Sequence, residues 1–117
     1  MHELFELAAV DVVGRIRERQ ISAREYAQEL IKKCKDQAYL NAFIHFEPDD
    51  VLQQSRDADR KQDSGQILGP LHGIPIAVKD NFDIAGYCTT AGTPGLRGHR
   101  VTRTAPVVQA LIDAGAV

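Results

Sequence analysis

Residues 69–79 read Gly-Pro-Leu-His-Gly-Ile-Pro-Ile-Ala-Val-Lys, and this stretch indicates the class of fold. A Gly-Pro turn leads into a short apolar run from Ile74 to Val78, which is typical of a buried strand. Lys79 follows at the carboxyl end of that run, and ligands in α/β sheets gather outside the carboxyl ends of strands. The stretch therefore predicts a strand over about residues 74–79 that presents a lysine at a place suited to chemistry.

The rest of the chain shows helical and strand-like patterns of apolar residues. Apolar residues at helical spacing predict helices over about residues 3–19, 22–35, 48–62 and 105–114. Ser22 and Glu25 have the spacing of a capping box at the start of the second helix, and Ile21 can pack across this cap. The alternating sequence LNAFIHF predicts a strand over about residues 40–46. We expect the third helix to lie at the surface, because few of its residues are apolar.

The last residues predict a helix followed by a new strand. Thr104 can cap this helix, Pro106 suits its first turn, and Gly115 suits the position just beyond its end. Ala116-Val117 resembles the beginning of another strand. We therefore expect the 117 residues to be a piece of a longer protein.

Composition restricts the classes of function. A hydrophobic fraction of 44% with 26% charged residues is ordinary for a soluble globular protein, and a net charge of -2 argues against nonspecific nucleic-acid binding. No apolar run is long enough for a signal peptide or a membrane span, so a cytoplasmic protein is expected. Cys34 and Cys88 are interpreted as free thiols in a reducing compartment, with Cys34 a buried core residue.

Lys79 is the main candidate for catalysis. A lysine held in a dry site loses stabilisation of its charged form, so its pKa falls and the amine can act as a base. An ion pair with Asp80 would oppose this, but alternation along a strand should turn Asp80 to the opposite face, where we expect it to bond loop amides. The alternative is an ordinary surface lysine at a strand end.

The small-residue loop after Lys79 is the second candidate. Thr89, Thr90 and Gly92 could form a wall that lets backbone approach a substrate, or only a tight turn. A phosphate cradle is disfavoured because the spacing fits neither common phosphate-binding motif. The histidines His2, His45, His72 and His99 lack metal-ligand spacing, so no metal and no cofactor is expected.

Three stretches resemble the amidase signature family of serine hydrolases. They are Gly-Ile-Pro-Ile-Ala-Val-Lys-Asp at 73–80, Thr-Thr-Ala-Gly-Thr-Pro at 89–94, and the segment from Ala-Pro-Val-Val at 105–108 to Ala-Gly-Ala at 114–116. They occur in the order found in the family. The resemblance extends over essentially the whole chain, but over only the first quarter or so of such an enzyme.

This resemblance implies that residues 1–117 are the truncated N-terminal part of a single amidase domain of the α/β class, with a mixed β-sheet core flanked by helices. The family hydrolyses carboxamides with a Ser–cis-Ser–Lys triad, and Lys79 matches the triad lysine. Neutral Lys79 would then take a proton through the bridging serine while the nucleophilic serine attacks the amide carbonyl. Ser22, Ser55 and Ser64 match neither serine, so both are expected beyond Val117 and the 117 residues alone should be inactive.

The resemblance implies a small-molecule amide substrate as the partner. We expect no nucleic-acid and no membrane partner, and a homodimer is left open. The sequence TTAGTPGLRGHR at 89–100 resembles stand-alone amidases more, including those acting on aryl-acetamide-like substrates such as mandelamide or indoleacetamide. One alternative is an amidotransferase subunit that supplies ammonia for tRNA-dependent amidation. Another is a non-catalytic, truncated interaction module.

Overall fold

The computed structural model describes residues 3–117, so His2 lies outside the described residues. Four helices form its framework, and short 3-10 turns lie between them. The helices are α1 (Ala9–Arg17), α2 (Ala23–Asp36), α3 (Pro48–Asp63) and α4 (Pro106–Asp113), and the 3-10 turns are Leu4–Glu6, Ala38–Leu40 and Pro94–Leu96. The single helix predicted over 3–19 is therefore divided, because Leu7 and Ala8 have extended backbone between the first turn and α1.

Helix α2 begins with the capping box that its sequence predicts. The Glu25 N–H donates to Ser22 Oγ at 3.0 Å, and the Ser22 N–H donates to Glu25 Oε2 at 2.8 Å. These two bonds hold the pKa of the Glu25 carboxyl below its usual range, because they stabilise its charged form. Ile21 packs against the buried cluster that contains Tyr26, as a hydrophobic staple requires.

The core lies between α1, α2 and the segment that begins at Ile74. Its buried members come from one face of each helix and from this segment: Val12, Val13, Ile16, Ala23, Tyr26 and Ile74. Cys34 is half-buried rather than fully buried, so it belongs to the edge of this core.

Polar side chains attach α3 to the other two helices of this layer. Asp59 accepts from the Ala23 N–H at 2.8 Å and from the Arg24 N–H at 3.1 Å, which places a carboxylate on the first turn of α2. Gln62 donates to the Ile16 carbonyl at 2.9 Å, at the end of α1. The outer face of α3 is exposed, as its few apolar residues predict, while Ala58 on its inner face packs against the core.

The predicted strand over residues 40–46 is wrong. Ala38–Leu40 forms a 3-10 turn, and Asn41 follows with a left-handed backbone at φ 51°, which an extended strand cannot contain. Leu40 and Ile44 are 58% and 63% exposed, and no described residue pairs with this segment as a neighbouring strand. The segment is instead an exposed connection, in which Phe43 stacks on Phe46 with ring centroids 5.4 Å apart.

The segment predicted as a strand over 74–79 is not part of a sheet within residues 3–117. Its backbone does pair with the end of the chain. The Ile76 N–H donates to the Val117 carbonyl at 3.0 Å, and the Val117 N–H donates to the Ile74 carbonyl at 2.8 Å. Val117 thus bonds by its N–H and its carbonyl to two residues that lie two apart in the other segment, which is the hydrogen-bond pattern of parallel strands. Two further bonds join the same segments, from the Gly73 N–H to Gly115 O at 3.0 Å and from the Leu71 N–H to Ala114 O at 2.8 Å. The predicted mixed sheet is not observed within residues 3–117, where these bonds form no regular strand.

Two glycines allow the segment around His72 to approach its neighbours. A Cβ at Gly73 would lie 2.7 Å from Ala23 Cβ, and one at Gly115 would lie 2.9 Å from His72 Cα. Both glycines also have a left-handed backbone, with φ of 77° and 100°. A side chain at either position would therefore separate the pairing segment from the helical layer or from the end of α4.

Helix α4 ends as its sequence predicts and begins differently. The Gly115 N–H donates to Ile112 O at 2.9 Å, and the next N–H, that of Ala116, donates to Leu111 O at 3.1 Å. These two bonds define a Schellman motif. Thr104 does not cap the helix, because Ala105 is the N-cap residue and Thr104 Oγ1 accepts from the Ala85 N–H at 3.0 Å instead.

Candidate active site

Lys79 lies two residues beyond Ala77, outside the part of the segment that pairs with Val117. Its carbonyl accepts from the Phe82 N–H at 3.1 Å, so the chain turns directly after it. Its side chain is exposed, and within residues 3–117 its amine makes no ion pair or hydrogen bond. The dry surroundings expected from the sequence are therefore not formed by the described residues.

Asp80 binds the following loop, as the sequence analysis expects. Its Oδ1 accepts from the Thr90 N–H at 3.2 Å, and its Oδ2 accepts from the Thr90 hydroxyl. Its backbone carbonyl also accepts from the Ala91 N–H at 2.7 Å. Asp80 thus holds the loop by its side chain and by its main chain.

These contacts stabilise the charged form of the Asp80 carboxyl. The Thr90 hydroxyl and N–H donate to the charged form, and they hold the pKa of the Asp80 carboxyl below its usual range. His45 Nε2 lies 3.9 Å from Asp80 Oδ1 and acts in the same direction. Sequence reasoning missed this histidine at the site, because it assigned His45 to a strand that does not form.

The loop itself is a tight turn over residues 90–93. The Thr93 N–H donates to the Thr90 carbonyl at 2.8 Å, and the central residues Ala91 and Gly92 have φ of 48° and 73°. Two consecutive positive φ values are those of a type I′ turn. The Thr90 hydroxyl also accepts from the Gly92 N–H at 3.2 Å, so its own proton is left for Asp80.

The predicted loop residues lie around this turn with different exposure. Thr89 and Thr90 are half-buried, Gly92 is exposed, and no atom lies within 4 Å of the position that a Cβ at Gly92 would take. Cys88 is a half-buried free thiol whose backbone forms an isolated antiparallel bridge with Arg100. The turn that binds Asp80 therefore carries little side-chain bulk.

The three serines of the chain are all engaged in the helical layer. Ser22 caps α2, Ser55 Oγ donates to Val51 O at 2.8 Å, and Ser64 Oγ donates to Lys61 O at 2.8 Å. Ser55 is also fully buried. None of these hydroxyls is a partner of the Lys79 amine.

His72 is a buried titratable residue whose burial the sequence did not indicate. Its side chain is 1% exposed, and its Nε2 has no hydrogen-bond partner among the described residues. Burial lowers the pKa of His72, and the positive charge of Lys61 lowers it further. Across residues 3–117, no group of three metal-ligating side chains is arranged to hold an ion, and no helix is long and apolar enough to cross a membrane.

The sequence profile of the family described as Amidase matches residues 25–117. The chain belongs to the amidase family. The matched region includes the Lys79 segment, the Thr90 turn and α4, which are the stretches that carried the resemblance.

Relatives of this amidase-family chain have two kinds of activity. It is 41% identical over 114 residues to a subunit of the mitochondrial glutamyl-tRNA(Gln) amidotransferase of Xenopus laevis, covering 97% of this chain and 21% of that protein. It is 36% identical, also over 114 residues, to the mandelamide hydrolase of Pseudomonas putida, covering 97% of this chain and 22% of that protein. The chain thus spans about a fifth of the length of these relatives.

A solved structure shares the fold of this amidase-family chain. The peptide amidase of Stenotrophomonas maltophilia superposes with a TM-score of 0.88 at 33% identity, over 96% of this chain and 23% of that one. The fold is therefore that of the amidase-signature enzymes, which are α/β proteins, although the regular elements within residues 3–117 are all helices.

Proposed function

We propose that the protein containing this chain is an amidase that hydrolyses a carboxamide C–N bond to a carboxylate plus ammonia or an amine, with Lys79 as its base. The observation that supports this proposal is the division of roles at 79–80. The Lys79 amine has no partner in residues 3–117, while the adjacent Asp80 carboxylate is bound to Thr90. An amine without a carboxylate partner gives up its proton more readily than one in an ion pair.

In this reaction Lys79 moves a proton and does not attack the substrate. Following the family resemblance, the neutral amine accepts a proton through a bridging serine while a second serine attacks the amide carbonyl. The amine later returns the proton to the departing ammonia or amine. Both serines are proposed to lie outside residues 3–117, since the hydroxyls of Ser22, Ser55 and Ser64 are engaged elsewhere.

We assign the loop of Thr89, Thr90 and Gly92 to the wall of the substrate site. Its support is the type I′ turn, which presents backbone with little side-chain bulk close to Lys79 in the chain. We also propose that the mixed β-sheet is completed by other parts of the protein, starting from the parallel pair at Val117. A cytoplasmic location is supported by the two free cysteines.

A second candidate function is that of an amidotransferase subunit. The observation that favours it is the 41% identity to a relative with that name. The intact protein should be assayed for ammonia release from simple carboxamides without tRNA or partner subunits. Release under these conditions supports a stand-alone amidase, whereas activity that requires a tRNA and a partner subunit supports the second candidate.

Substitution of Lys79 in the intact protein tests the role of its amine. Lys79→Ala and Lys79→Arg should each lower kcat by roughly a hundredfold or more, because arginine cannot give up its proton at working pH. Lys32→Ala, which changes an exposed lysine on α2, is the matched control and should keep full activity. Near-full activity of Lys79→Arg or of Lys79→Ala would refute the base role. An unsubstituted intact protein that releases no ammonia, with or without tRNA and partner subunits, would favour the non-catalytic interaction module.

A further inference from the structure

The carboxylate nearest to Lys79 in the chain does not pair with it. Asp80 has two carboxylate oxygens, and Thr90 donates to both of them, through its N–H at 3.2 Å and through its hydroxyl. No ion pair joins Lys79 and Asp80 within residues 3–117. The hydrogen bonds of Thr90 thus draw the carboxylate toward the turn.

The Thr90 hydroxyl bonds both Asp80 and its own turn. It donates its proton to the Asp80 carboxylate, which can only accept, and its Oγ1 accepts from the Gly92 N–H at 3.2 Å. The left-handed φ values at Ala91 and Gly92 keep the turn in the shape that makes this contact. The turn is therefore built to donate to Asp80.

We propose that Asp80 and Thr90 are positioning residues for Lys79: the Thr90 turn retains the Asp80 carboxylate and so keeps it from forming an ion pair with the Lys79 amine. This inference rests on the proposed base role of Lys79. Among residues 3–117, His45 is the titratable group that faces the Asp80 carboxylate, with its Nε2 3.9 Å from Asp80 Oδ1. Without the Thr90 hydroxyl, Asp80 would be free to turn toward Lys79 and stabilise its protonated form.

Thr90→Val in the intact protein tests this inference, because valine keeps the volume and removes the hydroxyl. The acid limb of the pH profile of kcat should move to higher pH by about one unit, since a carboxylate beside an amine favours the ammonium form. Thr90→Ser restores the hydroxyl and should restore the profile. Thr102→Val removes an exposed hydroxyl elsewhere and should leave the profile unchanged. A purely structural loss would lower kcat without moving the limb.

A double variant separates charge from shape. Adding Asp80→Asn to Thr90→Val removes the charge that would pair with Lys79, so the limb should return toward its original pH. Where Lys79→Ala abolishes activity, so that the limb reports Lys79, an unmoved limb in a Thr90→Val protein that remains folded by its melting profile would overturn the proposal. A moved limb that Asp80→Asn does not reverse would overturn it too.

A measurement without substrate distinguishes failure of this inference from failure of the proposed function. The pKa of the Lys79 amine can be followed by the pH dependence of its rate of reductive methylation, resolved by peptide mass spectrometry. A higher pKa in Thr90→Val supports the positioning role even if Lys79→Ala remains active, in which case only the base role fails. An unchanged pKa in Thr90→Val refutes the positioning role, whatever the activity of Lys79→Ala.

Discussion

The carboxylate of Asp59 at the start of α2 offers the sharpest test of how the helical layer is held together. Asp59 accepts from the N–H groups of Ala23 and Arg24, at 2.8 and 3.1 Å. Ala23 is fully buried, so in Asp59→Ala its N–H finds no water and remains without a partner. A buried donor without a partner costs about 1–3 kcal/mol, while the exposed Arg24 amide is rehydrated at little cost. The lost charge at the helix start adds about 0.3–1 kcal/mol.

We therefore expect Asp59→Ala to lower the opening free energy of the first turn of α2 by about 2 kcal/mol. Hydrogen exchange of the Ala23 amide in the intact protein should then be faster by roughly thirtyfold. Asp59→Asn retains one acceptor for Ala23 and should lose only about half as much. Asp57→Ala, an exposed change two residues away on α3, is the control and should alter exchange little. Equal exchange rates in Asp59→Ala and Asp57→Ala would refute this assignment of the cap.

Two further predictions concern the segment that leads to Lys79. Gly73→Ala should lower the melting temperature of the intact protein much more than Gly65→Ala does. Both glycines have positive φ, but only a Cβ at Gly73 would clash, at 2.7 Å from Ala23 Cβ. Equal losses would show that backbone strain alone matters. Burial and the charge of Lys61 lower the pKa of His72 in the folded protein, so as pH falls His72 is protonated in the unfolded state before it is in the folded state. Stability should therefore fall as pH drops below about 6.5. His72→Gln should weaken the fall in melting temperature between pH 7.5 and 5.5; an unchanged pH dependence would contradict this.

Features determined by neighbours in the chain were predicted correctly from the sequence. The capping box at Ser22 joins residues three apart, and the end of α4 at Gly115 depends on a single glycine in a left-handed conformation. The binding of Asp80 to loop amides followed from strand alternation and lies only ten residues away. In each case the determining contacts are short in sequence, so propensity and spacing carry the information.

Features determined by distant contacts could not be predicted in this way. Asp59 lies 36 residues from the amide of Ala23 that it caps, and nothing in the local sequence of α3 marks it as a cap. Alternation at 40–46 predicted a strand, but alternation forms a strand only where a partner can pair with it. Thr104 has the residue type of a cap, yet its hydroxyl is used by the Ala85 N–H, 19 residues away. The exposure of Lys79 likewise depends on residues distant in the sequence, which the local pattern around 74–79 does not describe.

The pairing of Ile74 and Ile76 with Val117 has a consequence for how such a chain can diversify. The two partners are joined by a connection of about 40 residues, and the entropy of closing a connection grows only with the logarithm of its length, so doubling it would cost only about 0.6 kcal/mol. Insertions between the Thr90 turn and α4 are therefore tolerated by the pairing itself. Lys79 would then keep its position beside this pairing while the loop between the Thr90 turn and α4 changes in length.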